Sequence, residues 1–319
     1  MNFANKISLT ILIVWCIVVV LIYLFYLDIN SVQKLQLNSS AAYDSSSLID
    51  GIILIAASNM GEDPIVDLAV SSIRKIGKFQ GSIYVITNRP SCFSEVVKLY
   101  DVKILIATGI NSIIDIKSIK TKLFEYVPDF VQTLLYLDVD IIVARSMNSF
   151  IRDLGILTHR SDYLRTQYTS NTSNVLLAAK ADIGMFLDAG GHFFGMCSGC
   201  EKWHSGIIWI RRSRASSICM KAWDNVLRSG KFDTDQESID EAERNGHCST
   251  MIKLPFRHLL FAKDYLMMIF RSGQSFIHLT SAGRLESQGF FYRDIVVPRI
   301  RASLHPPLDL SMLSKKKDC

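Results

Sequence analysis

No Walker phosphate loop, no glycine-rich dinucleotide fingerprint and no nucleophile set of the Ser-His-Asp or Cys-His kind can be traced in this chain of 319 residues. P-loop, dinucleotide-dependent and triad chemistries therefore have no support. Basic residues are not massed on one stretch: the net charge is +5 and the isoelectric point near 8.7. Arg211, Arg212 and Arg214, and Lys315, Lys316 and Lys317, occur without interleaved aromatics, so nucleic acid is not an expected partner. Internal repeats are absent, and so are the extra clustered acids and histidines of a metal-dependent phosphohydrolase. Of the seven cysteines, Cys16 sits in an apolar run, and the other six allow disulfides in 15 pairings if they face an oxidising lumen. Cys197-Ser-Gly-Cys200 has the spacing of half a zinc site with no second half, so a structural disulfide or plain thiols are expected there.

What is present begins at the N-terminus. Ile11 to Leu27 is an unbroken apolar run of 17 residues, and Ser8 to Leu27 spans 20, or about 30 Å of helix. No small-residue cleavage site follows, so an uncleaved signal anchor is expected over 8–27. Lys6 precedes it and Asp28 follows it, which places 1–7 in the cytosol and the bulk of the chain across the membrane. Residues 28–50 are polar and serine-rich, as in a flexible stem. Asn38-Ser-Ser40 and Asn171-Thr-Ser173 are glycosylation sequons that this topology exposes. Lys316-Lys317-Asp318-Cys319 resembles a dilysine retrieval signal, which the same topology leaves unread in the lumen.

Beyond the stem, strands and helices alternate. Strands are expected over 51–57, 82–87, 103–107 and 206–210, with helices over 64–76, 95–100, 118–127 and 216–229. This order predicts an α/β fold with a mainly parallel sheet. Short strands are expected at 258–261 and 275–279, and 159–201 resists assignment.

The most informative stretch is Leu134-Leu135-Tyr136-Leu137-Asp138-Val139-Asp140-Ile141-Ile142-Val143. Its apolar start reads as a strand buried on both faces, and two carboxylates at i and i+2 come where it should end. On an extended chain they point the same way and can share a hard cation. Solvated acids at a strand end are the alternative.

Thr121-Lys122-Leu123 followed by this Asp-x-Asp strand resembles the glycogenin-like and lipopolysaccharide-galactosyltransferase-like enzymes of the GT-A superfamily of nucleotide-sugar glycosyltransferases. The resemblance runs from Ile52 to about Arg284. It implies a GT-A (Rossmann-like) mixed, mainly parallel sheet with helices on both faces, over 51–290, followed by a C-terminal tail at 291–319. It further implies a nucleoside site at Ala56, Ala57, Ser58 and Asn59, and donor contacts from Lys122, Asp138, Val139, His204, Gly206 and Arg284. Mn2+ or Mg2+ would be held by Asp138, Asp140 and His278. Asp235 and Gln236, in a polar loop after the 216–229 helix, would face the transferred sugar or acceptor as the catalytic pair. His204 stands where those enzymes commonly have asparagine, and Ser281 stands where they have glycine.

The resemblance thus implies a retaining hexosyl- or pentosyltransferase that uses a nucleotide-diphosphate sugar, UDP-linked by expectation, on a glycan or glycoprotein acceptor. With the anchor, it would be a single-pass type II protein of the Golgi or endoplasmic reticulum membrane, with a homodimer compatible. A catalytically silent relative that binds a glycan or a protein is the competing reading.

Overall fold

The structure is a computed structural model that describes residues 48–58, 65–168, 181–188, 202–261 and 274–279. The expected anchor at 8–27, most of the stem, Cys197 and Cys200 and the 291–319 tail lie outside the described residues. Among the described residues no helix is long and apolar enough to cross a membrane.

β1 (Gly51–Ile55) is buried along its whole length. Its side chains alternate between two cores, Ile52 and Leu54 in one and Ile53 and Ile55 in the other. That is the pattern of a strand covered on both faces. α1 (Ile65–Lys75), β2 (Ser82–Thr87), α2 (Ser94–Tyr100) and β3 (Val102–Ile106) follow. α3 (Ile113–Ile119) starts well before the expected residue 118, because Ser112 and Asp115 form a capping box that satisfies its first amides. A 3-10 turn over Lys120–Lys122 and the short α4 (Leu123–Tyr126) lead into β4 (Thr133–Leu137).

Past β4 come β5 (Ile141–Val143), α5 (Asn148–Tyr168), β6 (Ile183–Asp188), β7 (Lys202–Arg211) and α6 (Arg214–Arg228). α7 (Asp235–Arg244), β8 (Met251–Lys253), β9 (Leu259–Phe261) and β10 (Phe276–His278) complete the described elements. The larger sheet has the order β3-β2-β1-β4-β7-β6-β8. It is parallel throughout except at β7, which runs antiparallel to both β4 and β6. A mixed, mainly parallel α/β sheet is therefore the observed architecture. A second sheet, β5-β10-β9, carries Ile141–Val143 away from the first.

Two large side chains tie loops to this frame. Trp209 of β7, fully buried, donates its indole N–H to the Leu48 carbonyl at 2.9 Å. Trp223 of α6 donates to the Asp235 carbonyl at 3.0 Å and so fixes where α7 begins. Burying each such chain stabilises the fold by about 2–3 kcal/mol. Cys219 of α6 is disulfide-bonded to Cys248, just past α7.

Asp153 of α5 accepts hydrogen bonds from the His258 ring, at 2.5 Å, and from Arg257, while His258 Nδ1 lies 2.9 Å from Ser275 Oγ. All of Asp153, His258 and Ser275 are buried, so this set clamps α5 to the smaller sheet.

Candidate active site

The two acids of the Asp-x-Asp motif do not sit on an extended strand. β4 ends at Leu137, and the Asp138 carbonyl accepts from Ile141 N–H at 3.0 Å, closing a turn over Val139 and Asp140 before β5 begins. The turn is where the chain leaves one sheet for the other, at the carboxyl end of β4. Ligands bind at such strand ends in open α/β sheets. A cleft of about 440 Å3 opens there, lined by Asp138, Val139 and Asp140 and by residues from both halves of the chain.

Pairing across the smaller sheet brings His278 to this turn. His278 of β10 lies opposite Ile141 of β5, and Leu279 N–H donates to the Asp140 carbonyl at 2.9 Å. His278 Nε2 is consequently 3.2 Å from Asp140 Oδ2. The Asp140 carboxyl is held below its usual range: burial opposes this, but the hydrogen bond and charge of His278 outweigh it.

Lys120 was not singled out by the sequence, and it is the central cation of the site. Its Nζ is 2.9 Å from Asp138 Oδ1 and 2.8 Å from Asp235 Oδ2, with the Tyr136 ring 5.2 Å away. Burial alone would depress its ammonium, yet Asp138 and Asp235 hold it well above the ordinary lysine value. Asp138 is pushed up by burial against the pull of Lys120, and Tyr136 donates its hydroxyl to the same carboxylate. Asp235 goes the other way. Burial would raise it, but Lys120 and the Ser205 hydroxyl, 2.9 Å away, keep it ionised far into acid.

Lys122, the expected donor contact, lies elsewhere. Its Nζ pairs with Asp224 at 3.2 Å and it does not line the cleft. Both lysines belong to the 3-10 turn, and that turn directs Lys120 inward. Lys120 immediately precedes the triplet Thr121-Lys122-Leu123, two residues before the lysine that the resemblance picks out.

Asp235 and Gln236 line the cleft, but they open a helix and are not in a loop. Thr234 caps α7 by accepting from Glu237 N–H at 3.1 Å. Gly206 accepts from Asp138 N–H through its carbonyl at 2.8 Å, and His204, Ser205 and Gly206 all line the cleft. His204 is 1% exposed, and burial, with the charges of His278 and Lys120, drives its ring well below the ordinary histidine value. Ala56 and Ala57 are buried at the end of β1, where the preceding residue, Ile55, is the one that lines the cleft. Ser58 has φ +56° and donates its N–H to Asn88 Oδ1 at 2.9 Å. Asn59 and Arg284 lie outside the described residues. His258 is committed to Asp153, and His247 is exposed beyond α7.

Two carboxylates and an imidazole form a donor set that suits Mn2+ or Mg2+. As the side chains stand, Asp138 is taken by Lys120 and Tyr136, and Asp140 by His278. Among the described residues no three His, Cys, Asp or Glu side chains are arranged to hold an ion.

No protein-family model matches the chain, and no curated protein matches it by sequence. Solved structures do match. The apo-form glycosyltransferase GlyE of Streptococcus pneumoniae TIGR4 is 11% identical, over 85% of this chain and 66% of that one, with a TM-score of 0.50. The galactosyltransferase LgtC, solved with donor and acceptor sugar analogs, is 14% identical over 81% of this chain and 96% of that one, with a TM-score of 0.49. Mouse xyloside xylosyltransferase 1 is 11% identical over 72% and 97%, with a TM-score of 0.44. At these identities the likeness is one of fold. The chain has the GT-A fold of nucleotide-sugar glycosyltransferases.

Proposed function

We propose that this protein transfers a sugar from a nucleotide-diphosphate donor, a UDP-sugar by preference, to a glycan or glycoprotein acceptor, with Mn2+ or Mg2+ and with retention at the anomeric carbon. The observation that carries this reading is the convergence of Asp138, Asp140, His278, Lys120 and Asp235 on one cleft at the end of β4.

Asp138, Asp140 and His278 would hold the cation. When bound, that cation neutralises charge developing on the departing diphosphate. The remaining roles belong to the chain itself. Lys120 supplies a fixed positive charge at the acids and keeps Asp235 ionised. Asp235 and Gln236, side by side at the start of α7, offer a carboxylate and an amide to sugar hydroxyls. Ile55, Ile65, Ile113 and Ile116 give the cleft an apolar wall against which a base can lie. Tyr136 holds Asp138 in place through its hydroxyl.

The Cys219–Cys248 disulfide suits an oxidising compartment and so supports the lumenal, type II arrangement in the Golgi or endoplasmic reticulum membrane.

One observation favours the second reading, a silent relative that binds a glycan or protein: Asp138 is already paired with Lys120. Calorimetry of UDP binding to the full chain in detergent, with and without Mn2+, followed by a screen of UDP-sugars for Mn2+-dependent hydrolysis, separates the two. Tight UDP binding that needs Mn2+ and is lost in Asp140→Asn is expected. No nucleotide binding under either condition would leave the silent relative as the better account.

A further inference from the structure

β7 departs from regular pairing at one place. Met185 of β6 lies opposite Ile208, but the next residue, Phe186, lies opposite His204, so Ser205, Gly206 and Ile207 have no counterpart on β6. Bulges of this kind re-aim side chains beside active sites. Here His204 is turned inward until its Nε2 is 3.0 Å from His278 Nδ1. Gly206 permits the approach, since a Cβ there would stand 2.7 Å from His204 Cε1. Phe261 of β9 lies against both rings, with centroids 5.2 and 5.4 Å away. The result is a row, His204–His278–Asp140, that runs from a fully buried ring to the partly exposed edge of the cleft.

We propose that His204 is a positioning residue for the metal centre, holding His278 Nδ1 so that His278 Nε2 faces Asp140 and the divalent cation. The inference rests on the metal-dependent reading above. A histidine that ligates through Nε2 needs its lone pair there, so its proton resides on Nδ1. Ligating histidines give that proton to an acceptor, which fixes tautomer and ring orientation. Carboxylates and backbone carbonyls are the common acceptors, whereas here the partner is the ring nitrogen of His204. Without the cation the same row runs in reverse. Asp140 only accepts, so His278 donates from Nε2 and, in a neutral ring, accepts at Nδ1 from His204 Nε2. Either way His204 Nδ1 is left buried without a partner, and the contact that the ring makes is the one to His278.

The test uses the full chain in detergent and Mn2+ alone as the probe. Affinity is read by calorimetry, and the coordinated imidazole nitrogen by the nitrogen modulation of the Mn2+ spin echo. His204→Phe should weaken Mn2+ about 10- to 100-fold and alter the nitrogen signal. His204→Gln, whose amide oxygen can accept the His278 proton, should recover most of both. A merely structural role would not separate these variants in the nitrogen signal. If His204→Phe fails to fold, His204→Asn replaces it, with weakened Mn2+ binding expected because its amide falls short of His278. Wild-type affinity and an unchanged nitrogen signal in the variant, with a raised donor KM, would assign His204 to the sugar and overturn the proposal while sparing the metal reading. A wild-type chain that does not bind Mn2+ overturns both.

Discussion

Lys120 Nζ and Asp235 Oδ2 are 2.8 Å apart although 115 residues separate them in the chain. The bridge joins the turn after α3 to the first residue of α7, and the same ammonium reaches Asp138 at the end of β4. One buried cation thus fixes the spacing between the Asp-x-Asp turn and the Asp-Gln pair. Removing one partner of such a set leaves uncompensated charge, which costs far more than the set itself contributes.

Lys120→Met should therefore lower stability by about 3–5 kcal/mol and abolish transfer. Lys122→Ala should cost under about 1 kcal/mol and leave transfer intact, because that lysine is partly exposed and Asp224 keeps Ser118 and Arg228. Thermal unfolding and donor hydrolysis on both variants check this. Equal losses would remove Lys120 from the centre of the site.

Gly206→Ala introduces a methyl group 2.7 Å from His204 Cε1 and 2.9 Å from Asp138 Oδ2. One of these groups must move. Overpacking of this kind costs about 1–3 kcal/mol, and activity should fall by much more than the stability loss accounts for. A variant with wild-type kcat and donor KM would show that the 204–206 segment stands apart from the chemistry.

The Cys219–Cys248 bond closes a loop of sequence separation 29 between α6 and the end of α7. Cys219→Ser with Cys248→Ser should lose about 3 kcal/mol, seen as a lower midpoint in denaturant. Reductant should shift the wild type by at least this amount and the double variant by correspondingly less. Reductant-insensitive wild-type stability would show that the bond does not form.

Asp153 supplies a pH dependence. Its carboxyl is held below its usual range: burial opposes, but His258 and Arg257 outweigh it. A depressed value contributes stability that is complete above the unfolded-state value of about 3.9 and is lost as pH falls through the lower folded value. Asp153→Asn should cost about 3 kcal/mol at neutral pH, and the gap from wild type should shrink below about pH 4. Denaturant titrations across that range decide it, and a gap that persists unchanged to the most acid point would rule this account out.

The first half of the sheet was legible because doubly buried strands read as plain apolar runs: 82–87 was read with the bounds that β2 has, and β1 and β3 within two residues. α7 was not legible. Its sequence, DQESIDEAER, buries only Ser238, Ile239 and Ala242, too few apolar residues to mark a helical stripe. The exchange of Lys122 for Lys120 has a different cause. Which lysine faces the cleft depends on a single 3-10 turn, and residue order alone does not say where such a turn falls. His278 was reached through the family resemblance. Its neighbour across the sheet, Ile141, comes from a strand that the sequence ran together with β4, so the switch between sheets that unites them left no mark in the apolar pattern.

Against β4, β7 stays in step without a break, from Thr133 opposite Arg211 to Leu137 opposite Ile207. All of the slack falls on the β6 side, between His204 and Ile208. The segment that touches the cleft is thereby released from β6 alone, while Gly206 stays bonded to Asp138 at the end of β4. Residues 204 to 206 can therefore reach across to β10 without disturbing the pairing of the central strands.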